Sequence, residues 1–420
     1  MNTIQRSSYR KERAGDRVEM ITNTRLQDGI HELAHAVKIL VYNECPHYFE
    51  LLDINDDQIF LEPLLFAWFN NQQMPGRPPL EQLLFGYIDP AVRPLQVSIL
   101  PDDNNMVFVP RVGHFRIGGE IKQGTMFMLQ VSGNEFRVMD GVNVIPHEQI
   151  PIVQVEGYEI IDHANPFLFP YFVQAYPAAA KEFYAVDFTG IAQTHLATLQ
   201  RALHIIKKHS PAYYKQIRLT NRRMMMYDYF PVNSFATKTF HGCIFMCTRT
   251  DSSIAFFLDD LIHQFSHNVL NSFIVDTAEY FKIDPESELL GDYIKNESEL
   301  RTVYSAFHGL FTVAQRAIFF GKIYNIPGLF SDVEKHELLA RYCDQFRRYK
   351  SGLEKADPDV IYTPKGKVLY EQIDSCAHNA LEKIRPIIDT SDFSNQVSRF
   401  DYQKFCVLNP LQKFREMNYL

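Results

Sequence analysis

Two pairs of histidines in the chain stand four residues apart. The first is His31-Glu32-Leu33-Ala34-His35, a literal HExxH; the second is His263-Gln264-Phe265-Ser266-His267. On a helix, positions i and i+4 lie about 40° apart around the axis and one turn along it, so two imidazoles so placed can grip one ion. In the first pair Glu32 could also act as general base on a metal-bound water, which is the arrangement of zinc hydrolases. Such enzymes need a third ligand downstream. His47, Glu50 and more distant acids are available, none at the spacing those enzymes use. The alternative is an amphipathic helix with two histidines on its polar side.

The second pair has the same geometry and a richer setting. About 35 residues further on, Arg301 and His308 are seven apart, nearly two helical turns, which puts them on one face of the helix predicted over Glu297–Phe320. Three imidazoles could hold a metal ion, and Arg301 could grip a carboxylate bidentately. Three core histidines satisfied by hydrogen bonds are the competing reading. Gln264 stands where a zinc peptidase has its general base. An amide takes no proton at neutral pH, which argues against a standard metallopeptidase at this pair.

The elements that must position these residues follow from periodicity. Helical spacing runs over Gln27–Leu52 and, in shorter pieces, Asp57–Phe69 and Pro79–Tyr87. The period falls to two from Gln96. Strands are predicted at Met106–Val112, Met126–Val131, Phe136–Met139 and Ile152–Glu156, with turns at Gly118–Gly119, Ser132–Gly133 and Asp140–Gly141. Helices return at Thr194–Lys208, Ser253–Phe273, Glu297–Phe320, Asp332–Glu354 and Lys367–Ile384, with one isolated apolar strand at Phe240–Cys247. The expected fold class is α+β: a mainly helical catalytic domain, a small antiparallel β unit and a helical N-terminal region. The expected division is a flexible tail over 1–25, a helical and β region over 26–158, a helical metal-binding domain over 159–388, and a C-terminal tail over 389–420.

Composition narrows the function classes. The 420 residues carry 42 Lys and Arg against 50 Asp and Glu, a formal charge of −8, which disfavours a general nucleic-acid binder. No run approaches the ~18 apolar residues of a membrane span, and the start has no apolar signal region. Six scattered cysteines include Cys243 and Cys247 in one apolar strand; buried thiols and a reducing, cytoplasmic compartment are expected. The 33 Phe and 22 Tyr predict a well-filled core.

At five places in order, the sequence resembles the α-ketoglutarate-dependent HExxH-type peptide β-hydroxylases, HExxH-motif proteins found with ribosomally made peptides. The places are Val109-Pro110-Arg111-Val112-Gly113 before the β region, Thr237–Thr248 with Gly242 before the apolar strand, Leu261–Asn271 around the second histidine pair, Arg301–Gly309, and Tyr362-Thr363-Pro364-Lys365-Gly366-Lys367. Together they cover residues 106–388. The resemblance implies a non-haem iron oxygenase that uses Fe(II), 2-oxoglutarate and O₂ to hydroxylate a side-chain β-carbon of a precursor peptide. It implies His263, His267 and His308 as iron ligands and Arg301 as the anchor for 2-oxoglutarate. Most such sites use two histidines and one carboxylate, which leaves Asp276 or Glu279 as alternatives for the third ligand. The departure is Gln264 where the family has Glu. Gln264 can orient a ligand or water in the catalytic site, but it cannot carry charge.

Two other functions stay open at this point. One is a zinc hydrolase on His31, Glu32 and His35. The other is a catalytically silent peptide-binding homologue that lost function with Gln264. Residues 1–105 lie outside the resemblance and are open to peptide recognition or to homodimer formation. Nucleic acid and membrane are not expected partners.

Overall fold

A computed structural model describes residues 20–420 except 75, 134, 176–182, 230, 350, 351 and 398; the side chains of 173–175 and 184 are also outside the described set. The tail expected over 1–25 lies almost wholly outside the described residues. Helix accounts for 53% and strand for 14%, which bears out a mainly helical α+β fold. Among the described residues no helix is long and apolar enough to cross a membrane. The chain divides into two compact units. A central unit holds residues 29–207 and 212–260, and a second holds 1–28, 208–211 and 261–420.

In the central unit, helix α1 (Asn23–Glu44, entered from the other unit) and helix α2 (Pro63–Asn70) precede three small sheets. Strands β1 (Gln96–Ile99), β4 (Phe127–Ser132), β5 (Glu135–Asp140) and β6 (Asn143–Ile145) form one antiparallel sheet in the order β1-β4-β5-β6. Strands β2 (Met106–Val109), β3 (Gly113–Ile117) and β7 (His147–Ile150) form a second, ordered β2-β3-β7. The Pro110-Arg111-Val112 segment is the turn between β2 and β3. Arg111 has φ 63° and Gly113 φ 137°, and a Cβ on Gly86 would meet the Pro110 carbonyl oxygen at 1.8 Å. That close approach, which only glycine permits, seats the turn against the helical layer.

The third sheet was not foreseen. Strands β8 (Val153–Val155), β9 (Tyr158–Ile161), β10 (Arg223–Tyr227) and β11 (Cys243–Cys247) are ordered β11-β10-β9-β8. β9, β10 and β11 are parallel and only β8 is antiparallel, so the strand read as isolated is in fact an edge of a mixed sheet. β10, Arg-Met-Met-Met-Tyr, is buried at every position and shows no alternation, which is why periodicity passes over it. Helices α3 (Phe188–His209) and α4 (Pro211–Thr220) lie between β9 and β10 in the chain, as a parallel connection requires. Cys243 and Cys247 are buried free thiols, as expected.

Helix α5 (Ile254–Phe273) carries the second histidine pair. The Ser253 hydroxyl accepts from the Phe256 amide and starts it. The unit that follows is built on α6 (Val303–Ile323), α7 (Asp332–Tyr349) and α8 (Pro364–Glu382), which pack on one another. A Cβ on Gly321 of α6 would stand 2.8 Å from the Tyr342 hydroxyl of α7, so the two helices touch closely there. The last residues, expected as a tail, form α9 (Tyr402–Leu408) and α10 (Leu411–Glu416). Their Phe405 and Phe414 are buried against His336 of α7.

The Tyr362–Lys367 motif has a structural explanation. Thr363 caps α8 by accepting from the Gly366 amide, and Pro364 sits in its first turn. The Thr363 hydroxyl donates to the Glu279 carbonyl, and a Cβ on Gly366 would meet the Tyr280 carbonyl oxygen at 1.8 Å. The motif thus docks the start of α8 onto the segment after α5.

Candidate functional site

His263 and His267 project from one face of α5, with ring centroids 5.0 Å apart. His308, in the second turn of α6, lies parallel to His267 at 5.2 Å between centroids and 13° between planes. Their Nδ1 atoms are 2.9 Å apart. Thr302 caps α6 by accepting from the Ser305 amide and so fixes where His308 falls on the first turns. On the far side of His308 the Tyr304 ring lies 4.4 Å away by centroids, and its hydroxyl donates to Asn271 on α5 at 3.3 Å. His267 is thus flanked by the other two imidazoles expected from the sequence, His263 on its own helix and His308 on α6.

Arg301 is placed differently from expectation. α6 begins at Val303, so Arg301 precedes the helix and does not share a helical face with His308. Its guanidinium grips Glu299 through Nε at 2.8 Å and Nη2 at 2.6 Å. It still lines a cleft of about 440 Å³ together with His263, Gly309, Thr312, Arg316 and Arg348. Arg316 and Arg348 went unnoticed in the sequence. Arg316 follows His308 by eight residues and Thr312 by four, inside a mainly apolar run (Phe307 to Phe320) in which it is the one Lys or Arg. A buried arginine in such a stretch is the signal that could have found it. Its Nε donates to the Thr312 carbonyl at 3.2 Å, while Arg348 donates to Asp344.

Burial and these cations together set the protonation of His263 and His267. Burial, and then the Arg316 guanidinium, hold His263 well below the usual imidazole range, with His267, Arg348 and His308 adding to it. Burial and Arg316 bring His267 down to about 4. Both rings are therefore neutral bases at neutral pH, the form in which imidazole binds a metal. Gln264 is buried, and its amide Nε2 lies 3.3 Å from His263 Nδ1. It contacts His263 from within the helix and contributes no charge.

The donor set fits an iron ion in chemistry and in the spacing of one pair. Neighbouring ligands on one ion at about 2.0–2.1 Å stand roughly 3 Å apart, as the His267 and His308 nitrogens do. The set is not closed. Two groups of His, Cys, Asp or Glu among the described residues have ligand atoms all within 4.8 Å of one another, and neither includes these imidazoles. Asp276 caps a short turn by accepting from the Ala278 amide, and Glu279 pairs with Lys365 and Arg25. Both carboxylates are exposed and engaged elsewhere.

The first histidine pair has the opposite setting. His31, Glu32 and His35 are all exposed on α1. His31 Nδ1 meets Asp57, which Lys38 also holds at 2.6 Å. Neither metal-compatible group among the described residues contains His31 or His35. No model of a known protein family matches the chain, and no curated protein matches it.

Proposed function

We propose that the chain is a non-haem iron, 2-oxoglutarate-dependent oxygenase that hydroxylates the β-carbon of a side chain in a ribosomally made peptide. The observation that carries this reading is the His267–His308 nitrogen pair at 2.9 Å with His263 opening onto an arginine-lined cleft. Iron would be held by His263, His267 and His308 and would supply the activation of O₂ in concert with 2-oxoglutarate. Three protein ligands leave the remaining positions for a chelating acid and for O₂.

The residues around it have separable tasks. Burial, reinforced by Arg316, keeps His263 and His267 neutral, and Arg316 and Arg348 present positive charge to an anionic cosubstrate. An arginine cannot lose its charge, so the anchor works at any physiological pH. Glu299 holds Arg301 and Asp344 holds Arg348, so the carboxylate is assigned to Arg316, which lines the same cleft and acts on both His263 and His267. Tyr304 packs against the His308 ring and is itself held by Asn271. Gln264 positions His263, with no proton to move.

Anaerobic titration with Fe(II) and 2-oxoglutarate tests the reading. A visible charge-transfer absorption from Fe(II) bound with 2-oxoglutarate is expected, with succinate released in the presence of O₂ and the peptide substrate. His263→Ala removes that absorption and His31→Ala does not; a metal site lost in His31→Ala and kept in His263→Ala supports the zinc hydrolase. Absence of both absorption and succinate supports the silent homologue.

A further inference from the structure

A second cluster, in the central unit, unites residues far apart in the sequence. His114 is the second residue of β3, while Asp162 and His163 directly follow the carboxyl end of β9. His163 Nδ1 is 2.8 Å from Asp162 Oδ1, His114 Nε2 is 3.9 Å from the same oxygen, and the two rings are 4.7 Å apart by centroids. Ligand atoms of all three lie within 4.8 Å of one another. Their side chains are 7%, 8% and 14% exposed for His114, Asp162 and His163, so the group is nearly withdrawn from water.

We propose that His114, Asp162 and His163 bind a divalent first-row transition-metal ion, at a site independent of His263, His267 and His308. Two imidazoles and one carboxylate are donors suited to iron, zinc or nickel, and three ligands leave other positions for water or a small ligand. His114 and His163 line a cavity of about 50 Å³, and since one water needs some 10–15 Å³ by that measure, the cavity holds several. Its other polar walls favour a cation. Asp102 and Glu159 line it, and the Arg223 guanidinium there is compensated by Glu159 at 2.7 Å and Glu62 at 3.1 Å. The place in the fold is also apt, because ligands of parallel sheets collect beyond the carboxyl ends of the strands. Two of the three ligand atoms are already at ligand spacing, and the third, His114 Nε2, stands 3.9 Å from the Asp162 oxygen.

The test is titration of chelator-stripped, full-length protein with Co²⁺, followed by calorimetry and visible absorption. Wild type is expected to take up two ions. Asp162→Asn and His114→Gln each lose one and keep the ion that His267→Ala removes. If the oxygenase reading fails, wild type takes up one ion and Asp162→Asn none, so the two failures are distinct. The proposal is overturned if both variants, folded by circular dichroism, bind as many ions as wild type. Should the variants not fold, anomalous scattering from Co²⁺-loaded wild-type crystals decides: a peak among the three side chains supports the site, and its absence there overturns it.

Discussion

The two histidine clusters are assembled by opposite means. In the second unit the imidazoles come from helical spacing: His263 and His267 from one face of α5, His308 from the capped start of α6. Their surroundings are cationic, and His263 opens onto a wide cleft. In the central unit the ligands come from tertiary pairing of β3 with the end of β9, with acids nearby and a small enclosed cavity. The difference is one of electrostatic role. Arginines weaken the hold on a bare cation but attract an anionic cosubstrate that then helps hold it. Buried carboxylates favour the cation itself. A site that must admit a dicarboxylate and a peptide suits the first arrangement. A site that retains an ion suits the second.

Four experiments would break or sharpen that contrast. The largest effect is expected from Glu62→Ala, which removes the buried partner of Arg223 and Arg222. Glu159 stays on Arg223, but breaking the buried Glu62 pairs costs about 3–5 kcal/mol, to be seen in urea unfolding, and the Co²⁺ site of the central unit should be lost with it. A stability change under 1 kcal/mol would mean that the acids do not organise that cavity. Next, His267→Ala or His308→Ala should weaken Fe(II) binding at the α5–α6 site, read by its 2-oxoglutarate charge-transfer band, by more than about 100-fold while Asp162→Asn leaves that band unchanged.

The third concerns the anchor. Arg316→Met should raise the 2-oxoglutarate dissociation constant about 10–100-fold, the worth of a charged hydrogen bond. Arg301→Met should change it little, since Glu299 occupies that guanidinium. Equal effects would restore Arg301 as anchor. The smallest effect is on acid stability and uses a histidine outside both clusters. Burial brings His241 down to about 4, against an ordinary value near 6.5. As pH falls below 6.5 the unfolded chain takes up that proton before the folded one does. The stability is therefore fully present above 6.5 and declines toward pH 4, by up to ~1.4 kcal/mol per unit for one such group. His241→Gln should flatten that decline in chemical unfolding of metal-free protein; an unchanged slope would contradict it.

Much of the second unit was legible in the sequence, because helical spacing is local. Ser253 and the apolar rows predicted α5 within one residue of its observed start. The same logic misjudged α6 by running it back to Glu297. Thr302, with its hydroxyl on the Ser305 amide, marks the true start and leaves Arg301 outside. β10 was hidden because five buried residues in a row have no period. The His114–Asp162–His163 cluster had no local signal at all. Its members sit 48 residues apart in the chain and meet only when β3 and β9 are folded. Arg316 was visible in principle as a charge inside an apolar helix.

The central claim is that His267 and His308 are ligands of one iron ion. The most direct measurement is visible absorption of the anaerobic Fe(II) and 2-oxoglutarate complex, comparing wild type with His267→Ala, His308→Ala and His31→Ala. A charge-transfer band in wild type and His31→Ala, absent from both other variants, is the predicted result. A band that survives in His267→Ala, or that no form of the protein shows, would contradict it.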